Sequence, residues 1–172
     1  MATSGTTSFD LDIDDIIEEA YERCGVRTNS GYNIKSARRS LNILFSEWGN
    51  RGVHLWKVVL KEQALTAGTA TYTTPSDCSD VLEAYVSTAQ TITETTNDIS
   101  LDKIDRSAYA ALPNKGQQGQ PSQYYVNRQI NPTISLYLTP DCAQYIYLKY
   151  YYISRIQDAG AYSDQANVPY RF

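Results

Sequence analysis

Between residues 13 and 24 the apolar positions Ile13, Ile16, Ile17, Ala20, Tyr21 and Cys24 recur at i, i+3, i+4, i+7, i+8 and i+11. That spacing predicts a helix from Asp10 with one buried stripe. Asp10, Asp12, Asp14, Asp15, Glu18 and Glu19 crowd its first turns, where carboxylates complement the positive end of the helix dipole, and Gly25 supplies a stop. A second stripe, Ile34, Ala37, Leu41, Leu44, Phe45 and Trp48, predicts another helix with Asn33 as N-cap, a basic face of Lys35, Arg38 and Arg39, and an end at Gly49 and Gly52. Matched stripes and opposite charge predict a helical hairpin over residues 10–52, preceded by a small polar stretch, residues 1–9, read as a mobile arm.

Beyond residue 52 the period changes to two. Trp56, Val58 and Leu60 alternate with Lys57, Val59 and Lys61, and a second run reaches Pro75 after an Ala67-Gly68 turn, which reads as a β-hairpin. Val81 to Thr88 and Thr91 to Thr96 form another strand pair. Leu101 to Leu112 is a short inserted helix ended by Pro113-Asn114, followed by a loop from Gly116 to Pro121. Pro121 to Ile153 holds three β-branched and aromatic runs divided by Asn131-Pro132 and Thr139-Pro140-Asp141, an antiparallel meander. In its last run Tyr145, Tyr147, Tyr151 and Ile153 share one face, and Ile146, Leu148, Tyr150 and Tyr152 the other. A strand apolar on both faces is central or covered by a partner.

The expected fold is therefore α+β: the N-terminal helical hairpin packed with an antiparallel β-sheet or sandwich domain over residues 53–156, containing one short helix near 100–112, then an extended C-terminal tail over 157–172. Trp48, Trp56 and Tyr72 are the predicted core aromatics, with Trp56 and Tyr72 packing the hairpin against the helices. Tyr145, Tyr151, Tyr170 and Phe172 are the predicted contact residues, the last two from an apolar terminal cluster.

Composition sharpens this picture at three points. Fifteen tyrosines against three phenylalanines is unusual, and tyrosine suits surfaces that are wet during folding and buried later. A net charge of −4 disfavours a grip on nucleic acid, yet lets a polyanion slide past. Cys24, Cys78 and Cys142 are odd in number and widely spaced, so reduced, buried thiols are expected rather than zinc ligands or disulfides. No apolar run approaches the roughly 20 residues that span a bilayer, so no membrane partner is expected and synthesis in a cytosol is.

Chemistry is harder to place. His54 is the only histidine and has no nucleophile at a recognisable spacing; phosphate-loop, dinucleotide and metalloprotease motifs are missing. Asp77, Asp80 and Glu83 lie close in sequence, as carboxylates leading into strands often do. The expectation is no catalytic residue, no cofactor and no metal.

Two motif runs carry a resemblance. Trp56, Gly68, Tyr72-x-x-Pro75-x-Asp77, and later Ala108-Tyr109-x-x-Leu112-Pro113-Asn114-Lys115 with Gly119-x-Pro121-x-x-Tyr124, resemble the head-to-tail adaptors of tailed bacteriophages, particularly tail tubular protein A of short-tailed phages. The paired helices before Trp56 are similar in placement to that family's helical region, and Val168 to Phe172 to the point where members continue into a further helix. The resemblance implies a virion structural protein of the neck or tail, assembled in the host cytoplasm as a homo-oligomeric ring, a dodecamer. Such a ring docks under the portal protein, presents a platform to the tail nozzle or other tail proteins, and passes DNA without sequence-specific binding. Alternatives are another neck component, such as a stopper or tail-completion protein, and a small carbohydrate-binding or hydrolase β domain whose tyrosines stack on sugar rings. On the adaptor reading, charged substitutions at both Tyr145 and Tyr151 are expected to block ring formation in sedimentation; rings that persist place the contact elsewhere.

Overall fold

The two stripes form helices α1, Ile13–Arg23, and α2, Gly31–Asn50. The computed structural model describes residues 11–26, 31–52, 55–90 and 97–169, so the expected arm, the 91–96 strand and His54 lie outside the described residues. The chain divides into two units, Met1–Trp56 with Ile156–Phe172, and Lys57–Arg155.

In the first unit α1 ends in a Schellman motif: Val26 N–H reaches Tyr21 O at 3.0 Å and Gly25 N–H reaches Glu22 O at 2.9 Å, with Gly25 at φ 69° as the left-handed turn requires. At the other end Asp12 occupies the cap position without a side-chain hydrogen bond. The first free N–H groups are met by backbone, Ile13 N–H by Asp164 O at 3.0 Å and Asp14 N–H by Tyr162 O at 3.1 Å. Asn33 is no N-cap, because α2 already begins at Gly31; its carbonyl accepts from the Tyr21 hydroxyl at 3.0 Å. Ile13, Ile17 and Phe45 are buried together with Ala159, and Trp48, Ile156, Ala166 and Val168 pack around them. Residues 156–168 thus close the helix pair, fastened further by Asn42 Oδ1 accepting from Ala159 N–H at 2.6 Å and by the Trp56 indole donating to Asn167 O at 3.3 Å.

The second unit is two four-stranded sheets around one core. The first sheet is ordered β1 (Val58–Ala64), β10 (Tyr147–Ser154), β3 (Cys78–Ser87) and β4 (Asp98–Ser100), all antiparallel. The second is ordered β2 (Thr71–Thr73), β8 (Thr133–Tyr137), β7 (Gln123–Asn127) and β5 (Asp102–Ile104), with β5 and β7 parallel. A small parallel pair joins β6, Gln118–Gly119, to β9, Thr139–Pro140. Val81, Ala84, Val86, Leu148 and Tyr150 of the first sheet meet Tyr124, Val126, Ile134 and Leu136 of the second. An ionic clamp bridges the same two sheets: Asp80 on β3 takes Arg128 at 2.8 Å and Lys103 at 3.1 Å. Burial raises the Asp80 pKa, but these two cations outweigh it and hold the carboxyl below its ordinary value.

Three local expectations change. The runs on either side of Gly68 are not a hairpin, since β1 pairs with β10 and β2 with β8 in the other sheet. An alternating run with a glycine turn reads alike whether the chain doubles back or switches sheets. Here the switch is held by the Tyr72 hydroxyl, which donates to Thr66 O at 3.2 Å and accepts from Thr66 N–H at 3.0 Å. Tyr72 consequently sits in the β core, whereas Trp56 belongs to the helical unit. The meander stops after its first hairpin, β7–β8, and the last run crosses to the first sheet, where β1 and β3 flank it. Only Arg106–Ala111 of the expected Leu101–Leu112 helix is helical, as α3; Leu101 enters the core, 102–104 pair with β7, and Asp105 caps the helix by accepting from Ala108 N–H.

Two buried tyrosines give opposite expectations for one change. Tyr72→Phe removes two hydrogen bonds and strands the Thr66 amide, an expected loss of about 1–2 kcal/mol. The Tyr150 hydroxyl is buried with no partner among the described residues, and burial raises its pKa, so Tyr150→Phe is expected to be neutral or to stabilise by about 1 kcal/mol. Thermal melts of the two variants check this; a clear loss on Tyr150→Phe shows that its hydroxyl is paired in solution.

Candidate assembly surfaces

The three neighbouring carboxylates do not converge. Asp77 accepts from the Ser154 hydroxyl, Asp80 binds Lys103 and Arg128, and Glu83 accepts from the Tyr85 hydroxyl at 2.6 Å. Each is tied to strand geometry, and none faces another across a space where a reacting atom would sit. The carboxylates of Asp12, Asp14 and Asp15 do approach one another within 4.8 Å, on an exposed helix start where Asp14 Oδ1 accepts from Asp15 N–H. All three cysteines are free, and Cys24 is exposed rather than buried because it falls at the α1 C-cap. No described helix is long and apolar enough to cross a membrane.

The surface with most to offer a partner is the outer face of the first sheet. Register sets its rows across β1, β10 and β3: Val58–Ile153–Asp80, Leu60–Tyr151–Glu83, Glu62–Lys149–Tyr85 and Ala64–Tyr147–Ser87. The opposite face of β10, Leu148, Tyr150 and Tyr152, is the core, as the alternation predicts. On the outer face Val58 is 40 % exposed and Tyr151 37 %, while Leu60, Tyr85, Tyr147 and Ile153 are half-buried. Lys149, missed in the reading of the sequence because a lysine between apolar residues looks like a solvated position, is 2 % exposed. Its stem lies along the sheet and its ammonium reaches across β3 to Asp98 on β4, at 3.4 Å.

The residues singled out from the sequence are dispersed. Tyr151 lies on this outer face. Tyr145 is 7 % exposed and belongs to the core; β10 begins only at Tyr147, so the alternation does not carry back to residue 145. A charge at Tyr145 would strike folding before assembly, which leaves Tyr151 as the informative substitution. Tyr170 and Phe172 lie outside the described residues. Tyr72 is a core residue at 6 % exposure, and Trp48 and Trp56 are half-buried in the helical unit.

The motif residues behind the resemblance turn out to be fasteners. Gly68 has φ 80° and donates its N–H to Pro140 O at 2.9 Å; Pro121 and Tyr124 are buried, and the Tyr124 hydroxyl donates to Leu82 O at 3.0 Å. Burial of that phenol, ahead of the neighbouring carboxylates Asp80 and Glu83, pushes its pKa up to about 12. Tyr109 stacks on Tyr125 with ring centroids 5.3 Å apart, and Lys115 donates to Ala110 O and Leu112 O at the end of α3. A methyl group on Gly119 would come within 2.8 Å of Leu138.

Lys149 and Asp98 supply a test of the outer face. Asp98→Ala leaves a buried ammonium unpaired, an expected loss of about 3 kcal/mol, whereas Lys149→Met keeps the stem and frees a carboxylate that water can reach, with a loss under about 1 kcal/mol. Equal losses in denaturant titrations would show that the pair is solvated.

No curated protein matches the chain. The sequence model of the family described as SU10 adaptor protein matches residues 4–171. With nearly the whole chain matched, this protein belongs to the SU10 adaptor protein family and is a phage adaptor, as the motif runs imply.

Proposed function

We propose that the chain forms a homo-oligomeric ring, a dodecamer, at the neck of the virion, joining the portal protein to the tail nozzle or another tail protein and lining the passage through which DNA leaves the capsid. Membership of the adaptor family over residues 4–171 carries this reading. Physical features support it. The outer face of the first sheet offers Val58, Leu60, Tyr85, Tyr147, Tyr151 and Ile153, apolar and amphipathic side chains suited to burial against a neighbour. A net charge of −4 gives a polyanion little to adhere to, as a conduit requires. The ring is a virion component assembled in the host cytoplasm, and it acts by position rather than by chemistry.

The decisive experiment mixes the purified chain with portal rings of the same phage, separates free from bound protein by sedimentation, and images the bound fraction by negative-stain electron microscopy. The expected result is an added layer of density coaxial with the portal. Intact portal rings that bind none of the chain overturn the portal-to-tail role and leave another neck component as the reading to pursue.

A further inference from the structure

The outer sheet face leaves the helical unit's surface unexplained. Along α2, Lys35, Arg39 and Ile43 stand four residues apart and so form one straight ridge. Ile43 is 63 % exposed, and Lys35 and Arg39 are exposed and make no ion pair among the described residues. Arg38 is already engaged, donating to Gly160 O at 2.9 Å and lying 5.4 Å from the Tyr162 ring centre. Between α1 and α2 runs a groove of 340 Å³ whose walls are apolar, including Ile16, Ala20, Leu41 and Leu44. Ile16 and Ala20 also border the adjoining hollow along α1, which is rimmed by Asp15, Glu18, Glu19 and Glu22. Among the described residues, Glu19 alone of these four has a cation, Arg23, at 2.7 Å.

One chain therefore carries both halves of a contact: an isoleucine knob with two unpaired cations, and an apolar groove with a carboxylate rim. We infer that the α2 ridge of one copy seats in the α1–α2 groove of a second copy, with Ile43 entering beside Ile16, Ala20 and Leu44 and with Lys35 and Arg39 facing Glu18 and Glu22. The ridge and the groove lie on different faces of α2, with Arg39 and Leu41 about 200° apart around the helix, so one two-fold axis does not seat both pairings, and docking ridge on ridge or rim on rim brings like charges together. The contact is heterologous, the same step repeats from copy to copy, and it closes into a ring when the rotation allows. This rests on the ring reading proposed above and names the surface that builds it.

The test uses the full chain, alone at rising concentration and on portal rings, with sedimentation as the readout. Lys35→Glu with Arg39→Glu, and separately Glu18→Lys with Glu22→Lys, are each expected to weaken assembly by about tenfold or more, and all four changes in one chain to restore it. Ile43→Asp, at an exposed site, is expected to block assembly while melting like the wild type. Reversed variants that assemble as well as the wild type overturn this interface and leave the ring standing. A fourfold variant that melts normally and stays unassembled overturns it as well. A wild-type chain that forms no ring even on portals removes the ring itself, an outcome visible before any variant is made.

Discussion

β10 must be covered on both faces, and the β unit is arranged around that requirement. Its inner residues Leu148, Tyr150 and Tyr152 need a second sheet above them, which Tyr124, Val126, Ile134 and Leu136 supply. Burying one such side chain contributes roughly 1.5–3 kcal/mol, more than an exposed ion pair returns, so this contact outranks every surface charge in the unit. Among the described residues the outer face has no second sheet. There the strand places Lys149, a residue whose stem can lie on apolar neighbours while its head reaches a carboxylate, and pairs it with Asp98. A central strand with one dry face and one partly dry face explains why its sequence is apolar on both sides.

A second constraint, the pairing of backbone groups at the edges of the two cores, accounts for part of the tyrosine content. Tyr72 fastens the turn before β2, Tyr124 ties β7 to the backbone of β3, and Tyr21 reaches the carbonyl of Asn33. Phenylalanine would fill these sites without holding the chain at their far ends. Tyrosine in this protein is thus first a means of pairing backbone groups near a core edge. Tyr151 is the kind of residue for which that account does not suffice, being 37 % exposed in a row with Leu60.

What was legible in the residues was local. A stripe at helical spacing depends only on the chain's own geometry, so α1 and α2 and the inner face of β10 could be read directly. Sheet partners could not, because period two gives the face of a strand and says nothing of its neighbour. β1 and β2 meet every local condition for a hairpin and part company because β10, more than seventy residues later, has two open edges to fill. The segment after Ile156 was hidden for a different reason. Its hold on the start of α1 is carried by backbone carbonyls, those of Tyr162 and Asp164 meeting the first amides of that helix, and a carbonyl leaves no trace in residue type. Surface roles were least legible of all: Ile43 and Lys149 look like a stray apolar residue and a solvated charge until the elements around them are placed.

The resemblance and the surfaces are consequently separate kinds of information. Gly68, Tyr72, Asp77, Tyr109, Pro121 and Tyr124 are bound up in turns and packing, so a match built on them speaks for a fold and for the family that uses it. Partner choice has to come from groups the fold leaves unspent. In the β unit the charges that bridge strands and sheets are already paired, Lys149 with Asp98 and Asp80 with Lys103 and Arg128, so the outer face of its first sheet offers mainly shape and apolar area. In the helical unit Lys35 and Arg39 on α2 and Glu18 and Glu22 on α1 make no ion pair among the described residues, and the two helices share an apolar groove. Area contributes affinity without direction, whereas charges of opposite sign on different flanks set which flank meets which. In the ring proposed above, the first kind of surface would hold copies together, and the second would set the order in which they follow one another around an axis.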